Sequence, residues 1–270
     1  MNRAVWSIDD PSHPVLWTMM ERGIPSGHRF LVPPHRLEDM EASLAALLEA
    51  FPGAIKAHTQ QAIEHITVLT DINHPRYCED GTIGLTMIGP KDTMETPPQG
   101  TNVAVYHVLS AAHGTPYSGV LKGWQAAIEA TQDPPTTLGI DGAYWVTLAD
   151  AAGALLRLGN ELYNHDGIVN ICGRRWWSAE DTWKELSMLS SRNSAGLYGT
   201  FTPEHLEGGL EVPVKVETLS TAGHLAPRRP ELGPLHTLLE TATGEGWNPT
   251  TPLRLGLMMV LADLATDRQP

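Results

Sequence analysis

The chain has 270 residues, of which 41 % are apolar, and its formal net charge is −13 at pH 7. That length is enough for a buried core in one domain or two. The acidic excess leaves no basic surface for nucleic-acid phosphates, and no apolar run approaches the ~18 residues of a membrane span. Cys78 and Cys172 form no recognisable motif. We therefore expect a cytoplasmic protein with reduced thiols and with neither a nucleic-acid nor a membrane partner.

The first fifty residues alternate between strand and helix patterns. Residues 3–8 are an apolar strand candidate, and residues 14–23 fit a helix with Pro14 in its first turn. Residues 28–32 repeat the strand pattern, and residues 37–48 carry apolar side chains at helical spacing. This order indicates an α/β protein.

The middle of the chain is less regular. We predict a second helix over residues 55–64 and a buried strand at the start of "HITVLTDINHP". Residues 82–89 form one strand in a segment rich in Gly, Pro and Thr, and the patterns of residues 103–113 and 120–131 are mixed or helical.

From residue 140 the pattern is regular again. "AYWVTLADAAGALLRLG" leads into a helix, and "GIVNICG" is a short strand. "WWSAEDTWKELSML" is a helix capped by Ser178, with Asp181 three residues further on. Two helices over residues 235–243 and 253–265 follow near the end.

Three stretches of this half resemble the substrate-binding region of extended short-chain dehydrogenases/reductases, the NAD-dependent epimerase/dehydratase group, and especially its dTDP-4-dehydrorhamnose reductase-like members. They are "VTLADAAGALL", "YNHDGIVNICGRRWWSAEDTWKEL" and "APRRPELGPLHTLLETATGEGWNP". Upstream, "HITVLTDINHPRY" is similar to the strand that leads to the family's Arg-Pro loop. The resemblance implies an α/β fold: a shortened Rossmann-like, mostly parallel sheet with a C-terminal substrate-binding lobe of helices and short strands.

On this resemblance, residues 1–270 form a single compact α/β unit. Residues 1–79 are its reduced Rossmann-like part, residues 80–139 an irregular middle region, and residues 140–270 the part similar to a substrate domain. Because "HITVL" already begins at residue 65, too little chain precedes it for the family's βα units, and we expect a smaller sheet.

The N-terminal half departs from the family in the motifs that serve its nicotinamide cofactor. Between strand and helix it has Asp9, Asp10 and Pro11 instead of glycines, and the two carboxylates would repel a pyrophosphate. No Tyr-x-x-x-Lys pair occurs in the sequence. Lys56 matches the family's lysine by position, but Pro52 then falls where the tyrosine belongs.

We therefore expect a protein that uses no cofactor. NADPH bound in an unusual way, with Arg3, Arg29 or Arg36 contacting phosphate, is the disfavoured alternative. A metal is not expected either, because the twelve histidines form no HExxH, H-x-H or His/Cys cluster at ligand spacing.

The richest polar cluster follows "HITVLT", at the end of a strand where open α/β sheets place their ligands. His74 is the candidate general acid/base, with Asp71 orienting it and Tyr77 as a second proton donor. Lys56 points to the same crevice from the predicted helix before the strand. The alternative is a polar surface turn and a solvated lysine.

A second set of side chains suits substrate binding. Arg174 and Trp176 follow a glycine turn, and such side chains hold a sugar ring or an anionic tail by stacking and bidentate hydrogen bonds. Arg229 matches the place where family members hold the nucleotide or the substrate end. The alternative is a tryptophan that packs the capped helix beside solvated arginines.

These features predict a cofactor-independent protein that acts on a small metabolite, a sugar or polyketide-like intermediate, in a biosynthetic pathway. The chemistry would be acid/base: isomerisation, elimination or cyclisation. Whether the protein is an enzyme stays open, with an isomerase, lyase or cyclase favoured. The alternatives are a pseudoenzyme that binds a ligand or a catalytic partner, and an NADPH-dependent sugar-type reductase with atypical cofactor binding. A homodimer or heterodimer fits each of them.

Overall fold

The computed structural model describes residues 4–58, 66–70, 82–90, 92, 100–130, 138–206 and 229–266. The strands within these ranges are β1 (Val5–Ile8), β2 (Arg29–Val32), β3 (Ile55–Ala57), β4 (Ile66–Thr70), β5 (Thr82–Ile88), β6 (Thr101–Tyr106), β7 (Gly142–Ala143), β8 (Gly167–Ile171) and β9 (Trp177–Ser178). The helices are α1 (Pro14–Gly23), α2 (Leu37–Ser43), α3 (Ala45–Ala50), α4 (Ser118–Ala130), α5 (Leu148–Leu158), α6 (Ala179–Leu197), α7 (Gly233–Thr243) and α8 (Leu253–Thr266).

Seven strands form one sheet in the order β3-β2-β1-β4-β5-β6-β8. Every neighbouring pair in this sheet is parallel. Strand order reverses between β1 and β4, which is the topological switch point of a doubly wound sheet. The predicted α/β fold with a Rossmann-like parallel sheet is confirmed.

The strands are apolar because both faces of a parallel sheet are covered. Trp6 and Phe30, on β1 and β2, are fully buried, and so is Val103 on β6. Helices α1 and α5 pack against each other, and α7 packs against α5 and β8. Burial of three such side chains stabilises the fold by several kcal/mol, at about 1.5–3 kcal/mol each.

The shortening falls in the connections rather than in the number of strands. Residues 58–65 join β3 to β4, residues 71–81 join β4 to β5, and residues 89–100 join β5 to β6. Each segment is at or below the dozen or so residues that a parallel crossover takes. The stretch "HITVL" leads into β4 beside β1, and two more strands, β5 and β6, follow before the lobe.

Two local predictions are wrong. Residues 55–57 form the edge strand β3 rather than the start of a helix, and Ile55 is paired with Phe30 of β2. Residues 101–106, partly assigned a mixed or helical pattern, form the interior strand β6. Short apolar runs suit either structure, and pairing with neighbouring strands decides between them. The helix predicted over residues 37–48 is divided at Leu44 into α2 and α3.

The C-terminal lobe has its own apolar cluster, which includes Trp124 of α4, Leu186 of α6 and Leu257 of α8. Its helices begin as the sequence predicts. Ser178 caps α6 by accepting a hydrogen bond from the Asp181 N–H at 3.0 Å. In the described parts of the chain, no helix has both the length and the apolar character needed to cross a membrane.

Asp150 fastens the "GWNPTT" segment to the first turn of α5. Its Oδ1 accepts the Thr250 N–H at 2.9 Å and its Oδ2 accepts the Thr251 N–H at 3.2 Å. Trp247 from the same segment is buried, and its Nε1 donates to the Cys172 carbonyl after β8 at 2.9 Å. These bonds join the end of the lobe to the carboxyl side of the sheet.

Candidate functional site

The carboxyl ends of β1, β4, β5, β6 and β8 meet at one edge of the sheet. Ligands of open α/β proteins bind in the crevice outside this edge, at the switch point. Among the described residues, three parts of the chain border it: the turn after β1, the loop after β6 and the segment after β8.

The turn after β1, residues 9–13, is organised around its own two carboxylates. The two oxygens of Asp9 accept the Thr70 N–H at 3.0 and 2.9 Å, which ties the end of β1 to the end of β4. Oδ1 of Asp10 accepts the Ser12 N–H at 3.0 Å. Pro14 begins α1 and has no N–H to offer an anion. A pyrophosphate held against α1 by backbone N–H groups does not fit this turn.

His13 stands at the N-terminal cap of α1 and is buried. Among the described residues, none forms a hydrogen bond with its Nδ1. Burial lowers the pKa of His13 to about 4, even though the neighbouring Asp10 carboxylate raises it. The imidazole is therefore neutral at pH 7 and supplies no charge to balance a phosphate.

The loop after β6 begins at His107, which is only partly exposed and has a φ of 56°. A non-glycine residue in this left-handed region carries backbone strain, which is common at functional positions. The rings of Tyr106, Tyr117 and Tyr144 surround it, with centroids 6.2, 5.9 and 6.0 Å from that of the imidazole. The His107 Nδ1 is buried and has no hydrogen-bond partner in the part of the chain that the structure describes, and burial lowers the pKa of His107 to about 4.

His107 was missed in the sequence because residues 103–113 were read as mixed or helical. The usable signal was the run "TNVAVY", which is followed directly by His107 and, seven residues later, by Gly114. That pattern is typical of a buried parallel strand whose next residue lies at the ligand-binding edge.

The segment after β8 brings together three residues predicted to bind substrate. Nη1 of Arg229 donates to the Arg174 carbonyl at 3.2 Å. The Trp176 ring packs edge-on against Tyr144, with centroids 5.1 Å apart. Burial raises the pKa of Tyr144, and the positive charge of Arg229 opposes that rise. Both arginines are exposed and Trp176 is half-buried; their role in binding stays a prediction.

The other predicted site residues do not join this group in the described chain. Lys56 has an exposed side chain on β3, not on a helix, and β2 and β1 lie between β3 and β4. His74, Asp71 and Tyr77 lie outside the described residues. The strand before them ends at Thr70, at the ligand-binding edge. Their proposed roles stay predictions.

The arginines considered as phosphate ligands are at opposite edges of the sheet. Arg29 is the first residue of β2 and so lies at the amino edge. Arg36 follows β2 at the carboxyl edge, where its Nη1 is 3.6 Å from Oδ2 of the exposed Asp39. Arg3 lies outside the described residues. Within the described ranges, no group of three or more His, Cys, Asp or Glu side chains could hold a metal ion.

This sheet, switch point and lobe are the fold of the extended short-chain dehydrogenases/reductases, whose solved members superpose on nearly the whole chain. One is the UDP-Glc/GlcNAc 4-epimerase of Campylobacter jejuni, with a TM-score of 0.54, 10 % identity, and coverage of 97 % of this chain and 99 % of that one. The predicted resemblance is confirmed at the level of the fold.

Two further neighbours were solved with a dinucleotide. The yeast methylglyoxal/isovaleraldehyde reductase Gre2, complexed with NADPH, has a TM-score of 0.51 and 8 % identity over 97 % of this chain and 98 % of that one. The dTDP-glucose 4,6-dehydratase of Bacillus anthracis, in complex with NAD, has a TM-score of 0.51 and 9 % identity over 98 % of this chain and 97 % of that one. No protein-family model and no curated protein matches the sequence.

The expectation that no cofactor takes part is wrong in the light of these neighbours. Two proteins with this fold along nearly their whole length hold NADPH or NAD at 8 and 9 % identity. In this chain, Asp9 and Asp10 occupy the turn where such a fold usually holds the pyrophosphate.

Proposed function

We propose that this protein is an NADPH-dependent enzyme that acts on a small metabolite at the carboxyl edge of its sheet. The proposal is carried by the switch point between β1 and β4, because doubly wound sheets bind dinucleotides there. The solved neighbours with NADPH and NAD support it. Among the functions that the sequence left open, this proposal corresponds to the NADPH-dependent sugar-type reductase with atypical cofactor binding.

The residues after β2 favour NADPH over NADH. In dinucleotide-binding proteins an acidic residue near this point accepts the ribose hydroxyls of NAD, whereas an arginine accommodates the 2′-phosphate of NADP. Here β2 is followed by Pro33, Pro34, His35 and Arg36, with no acidic side chain among them. The Arg36–Asp39 pair is 3.6 Å apart and exposed, so it holds the guanidinium weakly. Arg36 is therefore available to a phosphate.

The substrate that suits the other end of the edge is a small anionic or sugar-like molecule. Arg174 and Arg229 lie together beside the Trp176 and Tyr144 rings. Guanidinium groups bind carboxylate or phosphate in pairs of hydrogen bonds, and an aromatic face stacks on a sugar ring. In a chain with a net charge of −13, this local positive charge supports an anionic ligand.

Proton transfer is proposed for His74, with Asp71 orienting it and Tyr77 as a second donor. Support comes from their place directly after β4, the strand that borders the switch point. A histidine can exchange a proton with a hydroxyl or carbonyl oxygen of the substrate near neutral pH. These residues would exchange the proton that, in the family, the tyrosine of the Tyr-x-x-x-Lys pair exchanges.

Titration of the purified protein with NADPH and NADH, by calorimetry and by the shift in melting temperature, tests the proposal. We expect saturable, submillimolar NADPH binding. The Arg36→Ala variant should bind NADPH about tenfold or more weakly, because a charge-assisted bond to phosphate is worth ~1.5 kcal/mol or more. Its affinity for NADH should not change.

Arg29→Ala is the matched control, since it removes the same side chain from the other edge of the sheet. It should leave both affinities as they are. The proposal fails if folded wild-type protein binds no NADPH. The role of Arg36 fails if both substitutions weaken NADPH binding equally.

A further inference from the structure

Residues 144–146 join the loop after β6 to the segment after β8. The Val146 N–H donates to the His107 carbonyl at 3.1 Å, on the side of the loop. On the side of the segment, the Tyr144 carbonyl accepts the Gly173 N–H at 2.9 Å. Backbone hydrogen bonds therefore fix the position of Tyr144 between these two borders of the ligand-binding edge.

The side chains on this frame form a continuous row of rings. The His107 ring lies 5.9 Å from that of Tyr117 and 6.0 Å from that of Tyr144, measured between centroids. The Tyr144 ring in turn lies 5.1 Å from that of Trp176. We call these four residues the aromatic row. Ligand sites of proteins are commonly lined by aromatic side chains, among which a few polar groups fix the orientation of the ligand.

The electrostatic surroundings differ between the two ends of the aromatic row. At one end, burial raises the pKa of Tyr117, and the negative charge of Asp92 raises it further. At the other end, burial raises the pKa of Tyr144, but the positive charge of Arg229 opposes that rise. An anionic group is therefore disfavoured near Tyr117 and favoured near Arg229. An uncharged group suits His107, which lies between the two tyrosines.

The His107 ring has one nitrogen to offer a ligand. Its Nδ1 is buried, and the described residues form no hydrogen bond with Nδ1 or with Nε2. A neutral imidazole carries its proton on one nitrogen only, and a buried N–H without an acceptor is rarer than a buried acceptor without a donor. The proton therefore belongs on Nε2, which is not enclosed as Nδ1 is.

We propose that His107 binds the substrate, and that its Nε2–H donates a hydrogen bond to an uncharged hydroxyl or carbonyl oxygen of an anionic molecule held by Arg229. The inference rests on the proposed function, since it takes this molecule to be the substrate of that enzyme. A sugar phosphate has the required parts: its ring packs on the aromatic row, and its phosphate lies at the guanidinium. The left-handed φ of 56° at His107 is typical of residues held in place for such a contact.

Glucose 6-phosphate, titrated calorimetrically, is the probe. A glutamine amide can reach the position of the histidine Nε2, whereas an asparagine amide reaches only that of Nδ1. We expect His107→Asn to weaken binding about fivefold or more, the loss of one hydrogen bond, and His107→Gln to keep most of the affinity. His113 is an exposed histidine of the same loop, and His113→Asn is the matched control that should bind as the wild type does.

NADPH titrations of the same samples separate this inference from the proposed function. If the wild type binds NADPH but not glucose 6-phosphate, the role of His107 is overturned and the proposed function stands. If it binds glucose 6-phosphate but not NADPH, the proposed function fails, and the contact of His107 with the sugar is judged by the variants alone. Equal affinity of the wild type and His107→Asn overturns that contact, and so do equal losses in His107→Asn and His107→Gln.

Should His107→Asn not fold, NMR of the wild type with isotope-labelled histidine supplies a second measurement. The His107 signals are assigned through their contacts with the tyrosine rings. At pH 7 they should show the proton on Nε2, and they should shift when glucose 6-phosphate is added. A proton on Nδ1, or signals that the probe leaves unchanged, would contradict the proposal.

Discussion

At the scale of single residues, Asp10 has the most direct influence on the ligand-binding edge. Its carboxylate takes the backbone N–H of Ser12 at 3.0 Å, and so it occupies part of the space where an anion would meet α1. Asp10→Asn keeps an oxygen acceptor and removes the charge. We expect NADPH to bind about fivefold more tightly, since one exposed charge close to a phosphate is worth about 1 kcal/mol.

Asp166→Asn is the control for that prediction. Asp166 also accepts a backbone N–H, that of Gly100 at 3.2 Å, but it lies at the amino edge before β8. Calorimetric titration of both variants with NADPH measures the difference. Equal affinities for wild type and Asp10→Asn would mean that the phosphates lie beyond the reach of this carboxylate.

One buried and one half-buried histidine make the stability depend on pH. His13 and His107 have pKa values of about 4, because burial disfavours the charged ring. Below about pH 6.5 the unfolded chain takes up protons that these folded rings refuse until about pH 4. The free energy of unfolding therefore falls as pH drops through this window, by at most about 1.4 kcal/mol per pH unit for each ring.

Urea unfolding at pH 7.5, 6 and 5 measures this slope. His107→Gln should flatten this slope. His113 is an exposed histidine of the same loop, and His113→Gln should keep the wild-type slope. Identical slopes for the two variants would show that burial does not depress the pKa of His107 in the folded protein.

At the scale of secondary-structure elements, α5 and α6 begin with the same local pattern but have different tertiary roles. Asp150 and Asp181 each donate the backbone N–H to the capping hydroxyl three residues earlier. Asp150 is buried, and its carboxylate also holds Thr250 and Thr251. Within the described ranges, no N–H or O–H group donates a hydrogen bond to the Asp181 carboxylate.

Asp150→Ala should therefore destabilise the protein by about 2–4 kcal/mol, because it removes the buried, charged acceptor of the bonds from Thr250 and Thr251. Asp181→Ala should cost about 0.5 kcal/mol or less. Chemical denaturation of both variants measures the difference. Equal losses would mean that the bonds to residues 250–251 contribute nothing beyond the helix cap.

The capped helix α6 and the short strands β1, β2, β5 and β8 agree with their predictions, whereas β3 and β6 do not, and the helix predicted over residues 37–48 is divided. The cap at Ser178 and the helix it begins were readable because local hydrogen bonds decide them. Strands β3 and β6 were not, because partners far away in sequence determine them: Ile55 is paired with Phe30, and Val103 with Leu85 and Val169.

At the scale of the whole molecule, the sheet and the lobe meet at one edge, and the candidate site is assembled there from distant segments. Arg174 and Arg229 come together although 55 positions separate them. The predicted dimer stays a prediction. Helix α8 has an exposed apolar face, formed by Leu255, Met258 and Met259.

By itself, the sequence determined the α/β class, the capped helices and the absence of the glycine turn, because each depends on residues close together in the chain. It also determined that Asp9 and Asp10 stand where a pyrophosphate is usually held. Only the tertiary structure decided the strand order and the positions of Arg29 and Arg36 at opposite edges. It also decided the position of His107 among the rings of three tyrosines. Those properties arise from pairing and packing between segments far apart in sequence, which local patterns do not encode.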